Sequence, residues 1–260
     1  MEIEVLVATM NQKNLSKYYE MNLSTNTVFA NQDDRFEYVE ESILGKKVRM
    51  ITTADRGVGK NRNNAIMQAN SEICLFSDDD VKYVNDYDNL IINAFKNNPE
   101  ADIILFNVPS TNIDRPTTLI KKSKRIRWYN SLRYGAVNIA IRTASLKRAN
   151  VMFSLLFGGG AMYGAGEDSI FIIECLKKKL KVYTNQEIIG YVSQDTSSWF
   201  EGYNIKYFHD KGAWIANAFP KMKYIFAIYY SLKDKELVEM SPKKIYKIIV
   251  SGIKDFSERF

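Results

Sequence analysis

Cysteine is scarce: Cys74 and Cys175 are the two in 260 residues, far apart and each inside an apolar run. They read as buried free thiols of a reducing cytosol, not as a disulfide framework. Proline is also sparse, at five, and no low-complexity run or internal repeat occurs. That composition argues against a disordered or linker-rich chain. No stretch approaches ~18 apolar residues, so no helix is expected to cross a membrane. The chain opens directly on a strand-like run, and no signal peptide is expected. A cytoplasmic protein follows as the expectation.

What is present suffices for a large packed core: 46% of residues are hydrophobic and 25% charged. The 36 Lys+Arg exceed the 30 Asp+Glu by a mild margin, +6. That excess suits a phosphate-bearing ligand, an anionic membrane surface or nothing special. Basic residues interleave with aromatics only at Lys121, Lys122, Lys124, Arg125, Arg127, Trp128 and Tyr129, too little to predict nucleic-acid binding.

Residues 3–9 (IEVLVAT) are apolar and β-branched and predict a buried strand. Helical spacing over 14–23, strands at 27–30 and 48–52, a helix over 60–69 and a short apolar strand at 73–76 follow. This alternation predicts a mostly parallel sheet with helices on both faces. Ligands of such sheets bind at the carboxyl ends of strands, so the loops after residues 9, 30, 53 and 78 should line one crevice. The second half is less regular: a helix over 88–97, strands at 103–108 and 137–142, and a polar loop over 109–134. A glycine-rich run then leads to a helix over 169–180 and strands at 181–184 and 188–192. Ser241-Pro242 starts a last helix, with serine as cap and proline at the first position. We expect a main domain over 1–215 and a basic, aromatic helical extension over 216–260. That extension either lies on a membrane surface or packs on the core with a solvated basic face.

Three consecutive aspartates, Asp78, Asp79 and Asp80, end the strand at 73–76. Like charges this close repel, and a cation would relieve them. Hard carboxylate oxygens suit Mg²⁺ or Mn²⁺ shared with substrate phosphates. On an extended segment Asp78 and Asp80 point one way and Asp79 the other. The run Gly57-Val58-Gly59-Lys60 is no P-loop, because Ala54 replaces its first glycine and Asn61 follows the lysine. A phosphatase Asp-x-Asp-x-Thr motif fails too, since Lys82 stands at its threonine position. A second acidic feature, Gly164-Ala165-Gly166-Glu167-Asp168, opens a helix. Its carboxylates either cap the helix dipole or place a general base in a cleft.

In order and spacing these features resemble family 2 glycosyltransferases of the GT-A fold. The resemblance rests on Val7-Ala8-Thr9, Asn31-Gln32, Arg62-Asn63, Asp78-x-Asp80 and Glu167-Asp168, and covers residues 3 to about 195. It implies that Thr9, Asn11, Asn31, Gln32 and Asp33 surround the nucleotide base, with Arg62 on base or phosphate. Asp78 would meet ribose or sugar, Asp79 would belong to the same donor site, and Asp80 would ligate Mn²⁺ or Mg²⁺ on the diphosphate. Asp168 would be the base that deprotonates the acceptor hydroxyl, with Glu167 orienting acceptor or base. His209, the sole histidine, is either a further metal ligand or a structural residue. The reaction so implied is inverting transfer of a single sugar from a nucleotide sugar, with UDP the common choice. Its acceptor would be a glycan or lipid-linked hydroxyl in cell-surface polysaccharide or glycoconjugate synthesis.

The Gln-x-x-Arg-Trp motif of processive members is broken: Gln194 and Trp199 are near, but Ser197 and Ser198 fill the gap. Trp199 and Phe200 either stack on the acceptor or pack in the core. Two other readings stay open, a metal-dependent sugar nucleotidyltransferase and a non-catalytic partner subunit at a membrane. The first would carry a glycine-rich loop after the first strand, where residues 10–14 hold no glycine.

Overall fold

In the computed structural model, which describes residues 1–113, 115–194 and 202–260, strand and helix alternate as predicted, with additions. The first half comprises β1 (Ile3–Met10), α1 (Lys17–Glu20), β2 (Asn26–Gln32), β3 (Glu37–Ile43), β4 (Lys46–Thr53), α2 (Val58–Met67), β5 (Ile73–Asp78), β6 (Val81–Tyr83), α3 (Tyr87–Asn97) and β7 (Ile103–Asn107). The second adds β8 (Ile139–Arg142), α4 (Thr143–Ala149), α5 (Glu167–Lys177), β9 (Val182–Ile188), β10 (Gly190–Val192), α6 (Ile205–Ala218), α7 (Lys223–Lys233) and α8 (Pro242–Arg259).

The large sheet runs β3-β4-β2-β1-β5-β8-β7-β9, and β10 pairs with β6 in a small second sheet. β4, β2, β1 and β5 are mutually parallel, β3 and β8 are reversed, and β7 and β9 run parallel to each other. β1 and β5 lie at the centre, and their unbroken apolar runs are buried on both faces. Successive side chains alternate between faces. Val5, Val7, Phe29 and Phe106 pack beneath α3, while Leu6, Val28 and Phe76 pack with residues of α2 and α5. On the second face Phe153 stacks on Phe171 at 4.3 Å, and Phe76 meets both edge-on.

Several expectations change. The helix over 14–23 shrinks to the single turn of α1. β3 is an added strand whose sequence, EYVEESI, is mostly polar because it is an exposed edge. Leu44 and Gly45, both with positive φ, turn it into β4 as a two-residue hairpin. The boundary expected at residue 215 falls inside α6. Phe157, Tyr163 and Ile170 share one core with Phe208, Ile215, Ile249 and Ile253, which ties α6 and α8 to the sheet domain. The start of α8 follows the sequence: Ser241 Oγ accepts from Lys244 N, and Pro242 is the first helical residue.

α6 and α8 cross at glycines. A Cβ on Gly212 would land on the Ile249 carbonyl, and one on Gly252 would land on the His209 carbonyl. Each helix therefore presents a bare backbone notch to the other, which permits the close approach.

Candidate active site

The carboxyl ends of β1, β2, β4 and β5 lie together at one end of the parallel part of the sheet, as the topology requires. Thr9 pairs with Asn31, and Ala8 with Asp78, in the sheet register. The Asn31 amide pins the loop after β1: its Nδ2 donates to Gln12 O (3.0 Å) and Thr52 Oγ1 (3.1 Å), and its Oδ1 accepts from Gln12 N (3.0 Å). Gln32 Oε1 accepts from Gly57 N at 2.8 Å, holding the positive-φ glycine that starts α2. Asn61 Nδ2 reaches back to Thr9 O at 3.0 Å. Asp33 is engaged by Lys13 Nζ at 2.7 Å and by Arg35. Asn11, in the left-handed region just after β1, is exposed.

Arg62 is the hub, at 4% exposure. Its Nη1 donates to Glu167 Oε1 (3.0 Å) and Asp168 Oδ1 (2.8 Å), while Nη2 donates to Asp78 Oδ1 (2.8 Å). The guanidinium also faces the Phe153 ring, 5.3 Å from its centroid. One planar, five-donor fork thus joins two acidic motifs about ninety residues apart. Arg62 is directed at these carboxylates, not outward to a base or phosphate. The three acids outweigh burial and push its pKa further up.

The aspartates do not follow the simple alternation expected for a strand. β5 ends at Asp78, and residues 79–80 turn away. Asp78 takes Arg62, Asp79 accepts from the Thr9 hydroxyl, and Asp80 accepts from Gln194 N at 3.3 Å. Asp79 is therefore part of the site instead of facing away. Burial first, then the neighbouring Asp78, raise the Asp80 carboxyl above its usual range, and Asp79 adds to this.

Glu167 and Asp168 open α5 behind Gly166, a positive-φ glycine. A Cβ on Gly158 would lie 2.9 Å from Glu167 Cδ, so a glycine is needed for Glu167 to close over that turn. Burial, then the Glu167 charge, push Asp168 up to about 7, against the opposing pull of Arg62 and the Ala136 N–H. A carboxyl at that value is poised to exchange a proton near neutrality.

Beside this acid pair opens a cleft of about 590 Å³, lined by Gly164, Gly166, Ser169, Tyr207, Lys211 and Trp214 among others. The buried Trp214 Nε1 has no hydrogen-bond partner among the described residues. α6, absent from the sequence reading, supplies much of this lining. Its aromatic and lysine run was the available signal. Trp199 and Phe200 lie outside the described residues.

His209 is not brought to the aspartates. Its ring lies 3.8 Å from Asp210 Oδ1, and its carbonyl abuts Gly252 of α8. Among the described residues no three His, Cys, Asp or Glu side chains gather closely enough to hold a cation. The donor chemistry still suits a divalent ion. Asp80 is a hard oxygen ligand with a raised pKa, and Mg²⁺-type sites commonly use one or two carboxylates, with waters and substrate phosphates completing the shell.

A mixed, mostly parallel sheet with acidic groups at its central strand end, faced by an acidic helix start, is the arrangement of GT-A glycosyltransferases. Solved structures share this fold. S. aureus TarS 1-349 in complex with UDP-GlcNAc superposes with a TM-score of 0.65 at 17% identity, over 98% of this chain and 80% of that one. S. aureus TarS in its longer form matches at 0.62 and 17%, over 99% of this chain and 49% of that one. The mannosyltransferase PcManGT from Pyrobaculum calidifontis, in complex with GDP-Man and Mn²⁺, matches at 0.52 and 11%, over 100% and 76%. No curated protein matches significantly. Residues 31–154, a little under half of the chain, match the model of Glycosyl transferase family 2.

Proposed function

We propose that this glycosyltransferase moves a single sugar from a nucleotide diphosphate sugar, with uridine as the base, to a hydroxyl of a glycan or lipid-linked acceptor. Transfer inverts the anomeric centre, and the product belongs to a cell-surface polysaccharide or glycoconjugate. One observation carries the reading: Arg62 holds the donor-side Asp78 and the acceptor-side Glu167-Asp168 pair in a single hydrogen-bonded unit. Nucleotide-sugar complexes of two fold relatives support the donor class.

In this reading Thr9, Asn11 and Asp33 border the nucleotide, with Asn31 and Gln32 shaping their loops. Asp78 and Asp79 line the donor pocket. Asp80 would hold Mn²⁺ or Mg²⁺, which when bound would neutralise charge on the departing diphosphate. Asp168, ionised, takes the acceptor hydroxyl proton as the acceptor oxygen bonds to the anomeric carbon and the carbon–phosphate oxygen bond breaks. Nucleoside diphosphate leaves on the opposite side, which is why one displacement inverts the centre. Glu167, hydrogen-bonded to the same Arg62 nitrogen, orients Asp168 or the acceptor. A cytoplasmic enzyme using a lipid-linked acceptor would meet it at the inner face of the membrane.

The test is a thermal-shift panel of nucleotide sugars with and without Mn²⁺, followed by product assay. A matching donor at a hundredfold excess over Kd should stabilise the chain by about 2.7 kcal/mol. The shift should need Mn²⁺ or Mg²⁺ and should weaken in Asp80→Asn. Release of pyrophosphate from a nucleoside triphosphate and a sugar phosphate, in place of nucleoside diphosphate from a nucleotide sugar, would overturn the assignment.

A further inference from the structure

α7 is amphipathic in the wrong sense for a helix that merely packs on a core. Its inward side is Ala227 and Ser231, both buried, with Phe226 and Tyr230 half-buried. Its outward side is Tyr224, Ile225, Ile228, Tyr229 and Leu232, with exposures of 48%, 63%, 52%, 51% and 56%. At 100° per residue these five cover one continuous face with no charge on it. Scattered apolar residues on a surface are ordinary, but a whole helix face left in water is the mark of an interaction site.

Charge indicates the partner. Lys221 and Lys223 flank the start of α7, and Lys233 and Lys235 flank its end. The acid beside them, Asp234, is buried against Lys211 and cancelled there, which leaves Glu236 and Glu239 as the exposed carboxylates of this stretch. α8 is held to α7 by Lys223 Nζ on Ser257 Oγ at 3.0 Å, and its exposed residues include Lys243, Lys247 and Lys254. Met222, just before α7, also lines a groove of about 580 Å³ with an apolar floor (Leu176, Phe219, Pro220) and a basic rim (Arg125, Arg127, Lys177). Apolar surface ringed by ammonium and guanidinium groups matches a bilayer interface: acyl chains below, anionic headgroups above. No helix of the described residues is long and apolar enough to cross a membrane.

We propose that α7 is an interfacial anchor that docks this chain on anionic lipid bilayers, with Ile225, Ile228 and Leu232 entering the acyl boundary and the flanking lysines meeting phosphate headgroups. Docking is independent of the chemistry assigned above. A chain that bound vesicles yet transferred no sugar would keep this proposal and remove the other.

The experiment is co-sedimentation of the full chain with vesicles of phosphatidylcholine alone and with a third phosphatidylglycerol. Binding is expected only to the anionic vesicles and should weaken as salt rises. The triple variant Ile225→Ser, Ile228→Ser, Leu232→Ser should lose at least about tenfold in partitioning while keeping its melting temperature and donor hydrolysis, since these side chains already face water. Lys221→Glu with Lys235→Glu should lose the preference for anionic lipid. Equal pelleting with neutral and anionic vesicles, or full binding by the triple variant, overturns the proposal. So does light scattering that shows a dimer dispersed by the triple variant, because a second copy would then own the face.

Discussion

Asp168→Asn offers the sharpest separation of function from stability. The change is nearly isosteric, and an asparagine oxygen can still accept from Arg62 and from the Ala136 N–H. It removes the charge that burial opposes. A carboxyl at about 7 in the folded chain, against the ordinary 3.8, holds a proton that the unfolded state has released. Folding stability therefore falls as pH rises through that interval, and the full cost is present above it. The span corresponds to an upper limit of about 4 kcal/mol. The side chain is 25% exposed, and water at that edge screens part of the cost, so we expect the asparagine variant to be more stable at pH 8 by roughly 1–3 kcal/mol. For a chain of this length that is a rise of roughly 3–8 °C in Tm. At pH 4.5 most of that cost is gone, because the pH is close to the ordinary value of the unfolded carboxyl, and the gap between the two Tm values should narrow sharply. Sugar transfer in the variant should drop by roughly 10²–10⁴. Differential scanning fluorimetry across pH, beside a nucleoside diphosphate release assay, reads both. A variant less stable than wild type at pH 8, or one whose advantage is undiminished at pH 4.5, would refute the reasoning about Asp168.

The same carboxyl sets a pH profile: kcat/KM of transfer should rise with pH to a plateau with a midpoint near 7, and a flat profile from pH 5.5 to 8.5 would remove Asp168 as the base. Arg62→Met leaves Asp78, Glu167 and Asp168 without their shared cation and should cost about 2–4 kcal/mol of stability, less than a fully buried pair because the acids are partly exposed. That deficit should widen from pH 5 to pH 8 as Asp168 ionises, which urea titrations at the two pH values would measure. Gly252→Ala should destabilise by roughly 2 kcal/mol or more, because the new methyl lands on the His209 carbonyl. Ser251→Ala, one residue away and exposed, should be nearly neutral in the same melts.

The sequence alone determined what depends on neighbours in the chain. The unbroken apolar runs of β1 and β5 required central, doubly covered strands, and so placed Thr9 and Asp78 at one sheet edge. Gly164-Ala165-Gly166-Glu167-Asp168 marked a helix start, and Ser241-Pro242 marked another. These signals are short-range sterics and periodicity. β3 was illegible because an exposed edge strand needs no apolar face, and α6 because its pattern only closes against α8.

Only the tertiary structure decided where the long side chains went. Arg62 was expected on base or phosphate, and it turns inward because the fold brings three carboxylates within reach of its fork. His209 was a candidate ligand of the aspartate-bound metal, and the Gly212–Gly252 crossing carries it to α8 instead. The aspartate triplet loses its alternation because β5 ends at Asp78, so Arg62 of α2, Thr9 of β1 and the Gln194 backbone after β10 each claim one carboxylate. Likewise lysines and aromatics near the C-terminus are visible in the sequence. That one whole side of α7 stays in water depends on which faces the core had room to bury.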